Sequence, residues 1–194
     1  MIAQDQPQIN PQLPTVRFCR RQRVYIVANG REIERFPAGP DNRIKAEWAA
    51  IAYASPLTHQ AARALAGELA SVQGAGGRVL KAAWIAVKGD VQGGTVRSQS
   101  TPGKLYRVEE RSLIGLYCPC DDYQLGREAR FYERPHAAPT AGGQTLCKHV
   151  LARLIVERAA ELAKVGNSEV ARLERAQALP ASVDRPGSIE DLLG

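Results

Sequence analysis

Two short pairs of metal-binding residues constrain this chain more than any other feature of its sequence. Cys118 and Cys120 form a C-x-C pair, and Cys147 and His149 form a C-x-H pair. Three thiolates and one imidazole are the ligand set of a closed tetrahedral zinc site, and soft ligands of this kind select zinc over magnesium, calcium or manganese. The sequence therefore predicts one zinc ion whose four coordination positions are all filled by protein.

The spacing within each pair predicts the local backbone. In an extended segment residues i and i+2 point to the same side, so Cys118 and Cys120 can both face one ion. On a helix such residues lie about 200° apart, which excludes the middle of a helix for the second pair. We expect Cys147 at the entrance of a helix, where free backbone N–H groups surround its thiolate, and His149 in the first turn. The apolar stripe that follows predicts a helix as far as Val165.

The ligand set also predicts the role of the metal. A site filled by protein has no position for an activated water, so we expect a structural ion and a non-enzymatic protein. Asp121 and Asp122 are expected to accept hydrogen bonds that orient the ligands rather than to act as acid and base. Lys148 and Arg127 are candidates for offsetting the negative charge that three thiolates leave on the zinc. A zinc hydrolase, the rival enzymatic interpretation, would require an open coordination position.

The order of the pairs and the residues around them resemble a SWIM-type zinc finger. The stretch C-P-C-D-D-Y is similar to the first pair of that family and L-C-K-H-V-L-A to the second, and the resemblance covers roughly residues 77–160. It implies that Cys118, Cys120, Cys147 and His149 are the zinc ligands. It also implies binding of DNA or of other proteins, without choosing between them. The gap over residues 121–146 is long for the family and rich in glycine and proline, which predicts an inserted loop.

The predicted fold class is α+β, with an N-terminal β-hairpin and helices followed by a three-stranded antiparallel sheet and a helix around the zinc. Asn29-Gly30 predicts a type I′ turn between strands over residues 23–28 and 31–36, with the second strand at a sheet edge. Two helices follow; Asp41 or Asn42 is expected to cap the first, and Ser55 the second, with Pro56 at its first position.

The second half of the fold rests partly on the resemblance. A helix is expected over residues 78–87, although Trp84-Ile85-Ala86-Val87 is also compatible with a strand. Strands over residues 95–98, 105–108 and 113–118 are then expected to form one sheet. After a break at Gly166, a second helix is expected over residues 168–178.

These elements predict four regions along the chain. They are a disordered lead-in (1–16), a hairpin and helical region (17–76), a SWIM-type zinc-finger domain (77–165), and a C-terminal helix and tail (166–194). Gly74, Gly76 and Gly77 are expected to form a flexible joint. The tail segment 188–193 is either loose or a peptide that folds on a partner.

Charge and composition favour a polyanionic partner. The net charge is +6, and basic residues with interleaved aromatic residues are typical of nucleic-acid contact surfaces, although acidic neighbours dilute this signal here. The predicted contacts are Arg20, Arg21, Arg23, Arg97, Lys104, Arg107, Arg127, Arg130 and Lys148. We expect contact with nucleic acid, DNA in preference to RNA, by an accessory subunit that also binds other protein subunits. The alternative is a protein–protein adaptor whose zinc is purely structural.

The cysteine pattern agrees with a reducing compartment. The first fifteen residues lack the apolar core of a signal peptide, and no apolar run is long enough to span a membrane. We therefore expect a cytoplasmic protein whose clustered cysteines bind metal instead of forming disulfides. Cys19 is expected to be an inert thiol or, alternatively, a redox-sensitive one. His59 and His136 are expected at the surface, since the zinc site is full without them.

Overall fold

The structure, a computed structural model, describes residues 13–112, 115–128, 140–141 and 144–178. It confirms a mixed α+β fold of antiparallel sheets and helices. In chain order the elements are β1 (Thr15–Cys19), β2 (Val24–Asn29), β3 (Arg31–Pro37), α1 (Pro40–Ala54), α2 (Pro56–Glu68), α3 (Ala75–Val87), β4 (Val91–Gln92), β5 (Thr95–Arg97), β6 (Leu105–Arg107), β7 (Glu109–Arg111), β8 (Gly115–Tyr117), α4 (Asp121–Glu128), β9 (Thr140–Ala141), β10 (Gln144–Thr145) and α5 (Lys148–Ala178). The chain divides into a unit that ends at Leu162 and a unit that begins at Ala163.

The N-terminal sheet has the antiparallel order β1-β2-β3, which confirms the predicted hairpin and the edge position of its second strand. β1 begins at Thr15, so residues 15 and 16 belong to this sheet and not to the expected disordered lead-in; residues 1–12 lie outside the described residues. The predicted type I′ turn is wrong, because such a turn needs a positive φ at both Asn29 and Gly30. Asn29 is the last residue of β2, and of these two residues only Gly30 has a positive φ, of 69°. The pairing of β2 with β3 contains a register shift between Val27 and Ala28.

The first two helices begin in different ways. The Ser55 hydroxyl accepts a hydrogen bond from the Thr58 N–H at 3.3 Å, which confirms the predicted cap of α2. At α1 the predicted cap is wrong, because Gly39 occupies the cap position. Asp41 lies in the first turn instead, where its negative charge interacts favourably with the positive end of the helix dipole.

The third helix confirms the preference for helix over strand at residues 78–87. It begins earlier than predicted, at Ala75, so Gly76 and Gly77 lie in its first turn and do not form a joint. Gly74 alone takes a left-handed conformation there, with φ of 78°. Burial of one apolar face of α3 offsets the low helix propensity of its glycines.

The sheet before the metal ligands differs from the prediction. β4, β5 and β6 form a three-stranded sheet, with a tight β4–β5 turn in which Gly93 and Gly94 both have positive φ. β8, which leads to Cys118, pairs with β7 in a separate two-stranded ladder. The single sheet predicted from residues 95–98, 105–108 and 113–118 is therefore wrong, because β4 is the third strand of the β5–β6 sheet and β8 pairs with β7 instead.

The gap and the C-terminal helix also depart from the prediction. The gap is not a continuous loop, since α4 occupies residues 121–128 and β9 pairs with β10. α5 continues through Gly166, so the predicted break there is wrong. One glycine costs a helix only about 1 kcal/mol, and no proline occurs between Lys148 and Pro180. His136 and the tail over 188–193 lie outside the described residues.

The largest hydrophobic core joins residues from both sides of position 76. Ile51 and Val79, from the helices, share this core with Cys118, Leu151 and Ile155 from the zinc region. A smaller cluster lies under the N-terminal sheet, and Trp84 packs against both clusters. Among the helices that the structure describes, none combines the length and the apolar composition needed to cross a membrane.

Candidate metal centre

The structure brings the four predicted metal ligands together. One ligand atom from each of Cys118, Cys120, Cys147 and His149 lies within 4.8 Å of the others. All four residues are at most 2% exposed. Tetrahedral zinc, with bonds of about 2.3 Å to sulfur and 2.0 Å to nitrogen, separates its ligand atoms by roughly 3.5–3.8 Å. The Sγ of Cys118 and the Nδ1 of His149 are 3.8 Å apart, so the donor set and its spacing fit one metal ion.

Two of the thiols also cap helices. The Sγ of Cys147 accepts a hydrogen bond from the Val150 N–H at 3.4 Å at the start of α5, as the sequence predicted for the helix entrance. The Sγ of Cys120 accepts one from the Tyr123 N–H at 3.3 Å at the start of α4. Both sulfurs therefore lie at the positive ends of helices, which favours the thiolate form.

Sequence reasoning missed the cap at Cys120 because it interpreted the gap as a loop. The signal was present, since the two aspartates that follow Cys120 form an acidic first turn. In the described chain, the backbone N–H groups of Tyr123 and Val150 are thus in place to stabilise negative charge on the two sulfurs. Lys148, a predicted source of that compensation, is half-buried and lines a neighbouring cleft. The side chain of Arg127, the other predicted source, lies outside the described part.

Crowding of the three thiols shifts their pKa values in opposite directions. Burial raises the pKa of the Cys147 thiol. The hydrogen bond with Cys120 raises the pKa of Cys118 to about 12, whereas the hydrogen bonds from Cys118 and Cys147 lower the pKa of Cys120. One thiolate is therefore stabilised by two neighbouring thiols, and a divalent cation would allow the others to lose their protons.

The imidazole of His149 is held from one side by Tyr106. The two ring centroids are 4.6 Å apart, and the Nζ of Lys104 lies 5.0 Å from the centroid of the same tyrosine ring. The Nε2 of His149 is buried with no hydrogen-bond partner among the described residues. The Nδ1, which lies 3.8 Å from the Cys118 Sγ, is the ring nitrogen placed to bind an ion.

Gln144 ties the strand before the first pair to the segment before the second. Its Oε1 accepts from the Leu116 N–H at 2.7 Å, and its Nε2 donates to the Leu116 carbonyl at 2.6 Å. A Cβ at Gly115 would collide with the Gln144 side chain, and the φ of Gly115 is 67°. Gln144 thus positions both ligand pairs, and nothing in the sequence pattern pointed to it.

The two aspartates after Cys120 lie in the first turn of α4. Asp122 forms an ion pair with Arg78, which links α4 to α3. Asp121 is exposed in the first turn of α4. Asp122 accepts a hydrogen bond from Arg78, and the expectation that such bonds around the two carboxylates orient the ligands stays a prediction.

The predicted nucleic-acid contacts fall on several surfaces. Arg20, Arg21 and Arg23 are exposed in the β1–β2 turn. Arg97 and Arg107 lie on the outer face of the β5–β6 ladder, since their paired neighbours Val96 and Tyr106 point into the core. The ammonium group of Lys104 lies over the ring of Tyr106, and Lys148 is the first residue of α5. The side chain of Arg127 and the whole of Arg130 lie outside the described residues.

No protein-family model matches the chain, and no curated protein or solved structure matches it. The site is therefore defined by its own geometry and chemistry. It is a buried cluster of three cysteines and one histidine that can hold a single metal ion. The resemblance to SWIM-type zinc fingers stays a prediction from the motifs.

Proposed function

We propose that this chain is a non-enzymatic protein that holds one structural Zn²⁺ and contacts nucleic acid, DNA in preference to RNA, as an accessory subunit of a larger complex. The observation that carries the proposal is the buried cluster of Cys118, Cys120, Cys147 and His149. Three thiolates favour zinc among the common biological metals, and four protein ligands complete its tetrahedron.

The surroundings of the cluster support a structural role for the ion. The ligands come from the segment after β8 and from the starts of α4 and α5, so one ion would join three elements. Each ligand side chain is also part of the hydrophobic core or borders it. Structural zinc can supply on the order of 10–16 kcal/mol of apparent binding free energy, which is folding free energy in such a site.

Surface charge supports the nucleic-acid part of the proposal. The chain carries a net charge of +6, and Arg97 and Arg107 project from the same outer face of the β5–β6 ladder. The side chain of Arg97 is 65% exposed, although it lies 3.5 Å from Asp90. Exposed arginines on a rigid sheet can reach phosphate oxygens without a large loss of conformational entropy.

One observation favours the alternative, a protein–protein adaptor. Leu105 lies on the same outer face, opposite Arg97 and two residues before Arg107, and is 60% exposed. An exposed apolar side chain within a polar surface fits a protein partner better than a phosphate backbone. In the adaptor, Leu105→Gln would abolish capture of protein subunits, whereas in a nucleic-acid-binding protein it would leave DNA affinity unchanged.

The zinc site is tested by a ligand substitution with a matched control. Cys120→Ser is expected to lose zinc and to melt at a lower temperature, whereas Cys19→Ser, which alters a cysteine outside the cluster, is expected to keep one zinc per chain. Metal analysis and thermal melting measure both effects. Cobalt substitution should give tetrahedral thiolate spectra without a water ligand. Metal-free protein that melts cooperatively and ignores chelators would contradict the zinc site, and a cobalt-bound water would support a hydrolase.

Nucleic-acid contact is tested by fluorescence anisotropy with duplex and single-stranded DNA and with RNA at several salt concentrations. If Arg97 and Arg107 each contact one phosphate of a duplex, Arg97→Gln/Arg107→Gln flattens the log–log salt dependence by about 1.8, at about 0.9 per contact. Absence of binding at low salt would contradict the nucleic-acid proposal and favour the protein–protein adaptor.

A further inference from the structure

A second candidate site lies where α3 faces the start of α5. A cleft of about 690 Å³ opens there, and the beginning of the N-terminal sheet, Glu47 of α1 and Gln99 line the rest of it. We call it the lysine cleft and define it by Lys81, Trp84, Lys88 and Lys148, which all line it. Its volume is within the range of about 300–1,000 Å³ that is usual for sites that bind small ligands.

The cleft follows from the arrangement of residues on α3. Lys81, Trp84 and Lys88 are spaced i, i+3 and i+7, so they share one face of the helix. Residues on other faces, such as Leu80 and Ala83, are buried in the core. The core thus fixes the rotation of α3, and this rotation points two ammonium groups and part of an indole ring toward the cleft.

The positive charge of the cleft is not neutralised within the described part of the chain. There, none of the three lysines makes an ion pair or a side-chain hydrogen bond. Glu47 is the one carboxylate among the lining residues, and it already pairs with Arg43 at 3.1 Å. Three ammonium groups around one concave surface repel each other and attract an anion.

We propose that the lysine cleft binds a nucleoside phosphate, with the lysines around the phosphate and the base packed against Trp84. An indole provides an apolar surface on which a base can stack, and lysines are common phosphate ligands. The inference rests on the proposed function and deepens it, since it assigns the cleft to one nucleotide of a bound strand. A free nucleotide carries the same phosphate and base, so it is the alternative ligand for the cleft.

The fluorescence of Trp84 reports occupation of the cleft. In a Trp48→Phe background, Trp84 is the only tryptophan, and single-stranded oligothymidylate is expected to quench it. Lys81→Gln/Lys88→Gln is expected to flatten the salt dependence by about 1.4, at about 0.7 per phosphate of a single strand. Lys45→Gln/Lys164→Gln removes the same charge from exposed positions outside the cleft and is expected to lack this effect. Circular dichroism checks that each variant keeps its helix content.

The possible outcomes separate this inference from the proposed function. Quenching by the strand that depends on Lys81 and Lys88 supports both, and quenching by thymidine monophosphate alone supports the cleft with a free nucleotide as its ligand. If the strand binds without quenching Trp84 and depends only on Arg97 and Arg107, the lysine cleft is overturned while the proposed function stands. Absence of binding by strand and mononucleotide overturns the lysine cleft, and the proposed function falls with it only if duplex DNA and RNA also fail to bind.

Discussion

At the scale of single residues, the side chain of Gln144 supplies the hydrogen bonds that a neighbouring strand would otherwise give to Leu116. Its amide oxygen and nitrogen bond to the N–H and the carbonyl of that one residue. Leu116 lies just before Cys118, and Gln144 just before Cys147. The amide therefore links the strand before the first ligand pair to the segment before the second.

Replacement of this amide should weaken both the fold and the metal site. Gln144→Ala removes two hydrogen bonds, so we expect a loss of about 1–3 kcal/mol in the free energy of unfolding and faster release of zinc to a chelator. Urea unfolding and a colorimetric zinc-release assay measure these effects. Gln92→Ala, at an exposed position of β4, is the matched control. Equal stability and equal release rates in the two variants would contradict the role of Gln144.

His59 makes stability depend on pH. Burial lowers the pKa of His59, and the nearby Arg63 guanidinium adds to this effect. The unfolded chain therefore binds the proton more tightly, so this contribution to stability is present above the unfolded pKa of about 6.5 and is lost as the pH falls below it.

The measurement compares the wild type with His59→Gln. The difference in the free energy of unfolding between them is expected to change with pH between about 7.5 and 5.5. Comparing the two proteins at each pH cancels the zinc release that acid causes in both. A difference that stays constant over this interval would show that His59 titrates normally.

At the scale of elements, the two capping cysteines explain why helices begin where the metal site is. Cys120 and Cys147 each accept an N–H hydrogen bond from the residue three positions on. Metal binding would therefore fix the first turn of α4 and of α5 at the same time. Formation of the site and formation of these helix starts should be one event.

The length of α5 is a separate prediction at this scale. A Cβ at Gly166 would meet no atom within 4 Å, so Gly166→Ala is expected to stabilise the helix by about 0.5–1 kcal/mol and to raise the helical circular dichroism signal. Gly103→Ala, at a φ of 76°, is expected to destabilise the protein, since alanine resists that conformation. Unchanged helicity in Gly166→Ala would indicate that α5 is interrupted there.

At the scale of the molecule, one core connects the candidate metal ligands to helices far away in the sequence. Cys118 and Cys147 share a hydrophobic cluster with Ile51 and Val79. Trp84 contacts both this cluster and the smaller one under the N-terminal sheet. Loss of the metal should therefore be felt well beyond the zinc site.

Chelation tests this connection directly. Removal of zinc is expected to unfold the helices around Trp48 and Trp84 together with the zinc region, because they share one core. Tryptophan fluorescence and circular dichroism recorded during a chelator titration should follow one coincident transition. A tryptophan signal that stays native while the zinc region unfolds would show that the two parts fold independently.

The elements that the sequence predicted well depend on local chemistry. Ser55 with Pro56 marks the start of α2 because both preferences act within one turn. The long gap was misread because helix α4 is short, with a glycine near its end, and its start is set by the thiol of Cys120. The strand before Cys118 was given the wrong partner because strand pairing is decided by contacts between distant residues.

The sequence alone pointed to the four clustered residues that could hold a metal ion and to the α+β class, since residue type and i,i+2 spacing are local properties that need no knowledge of the fold. Only the tertiary structure decided how the strands pair, that Gln144 positions both ligand pairs, and that Lys81, Lys88 and Lys148 line one cleft. These features join residues far apart in the chain, and their positions follow from how α3 and α5 pack against a common core.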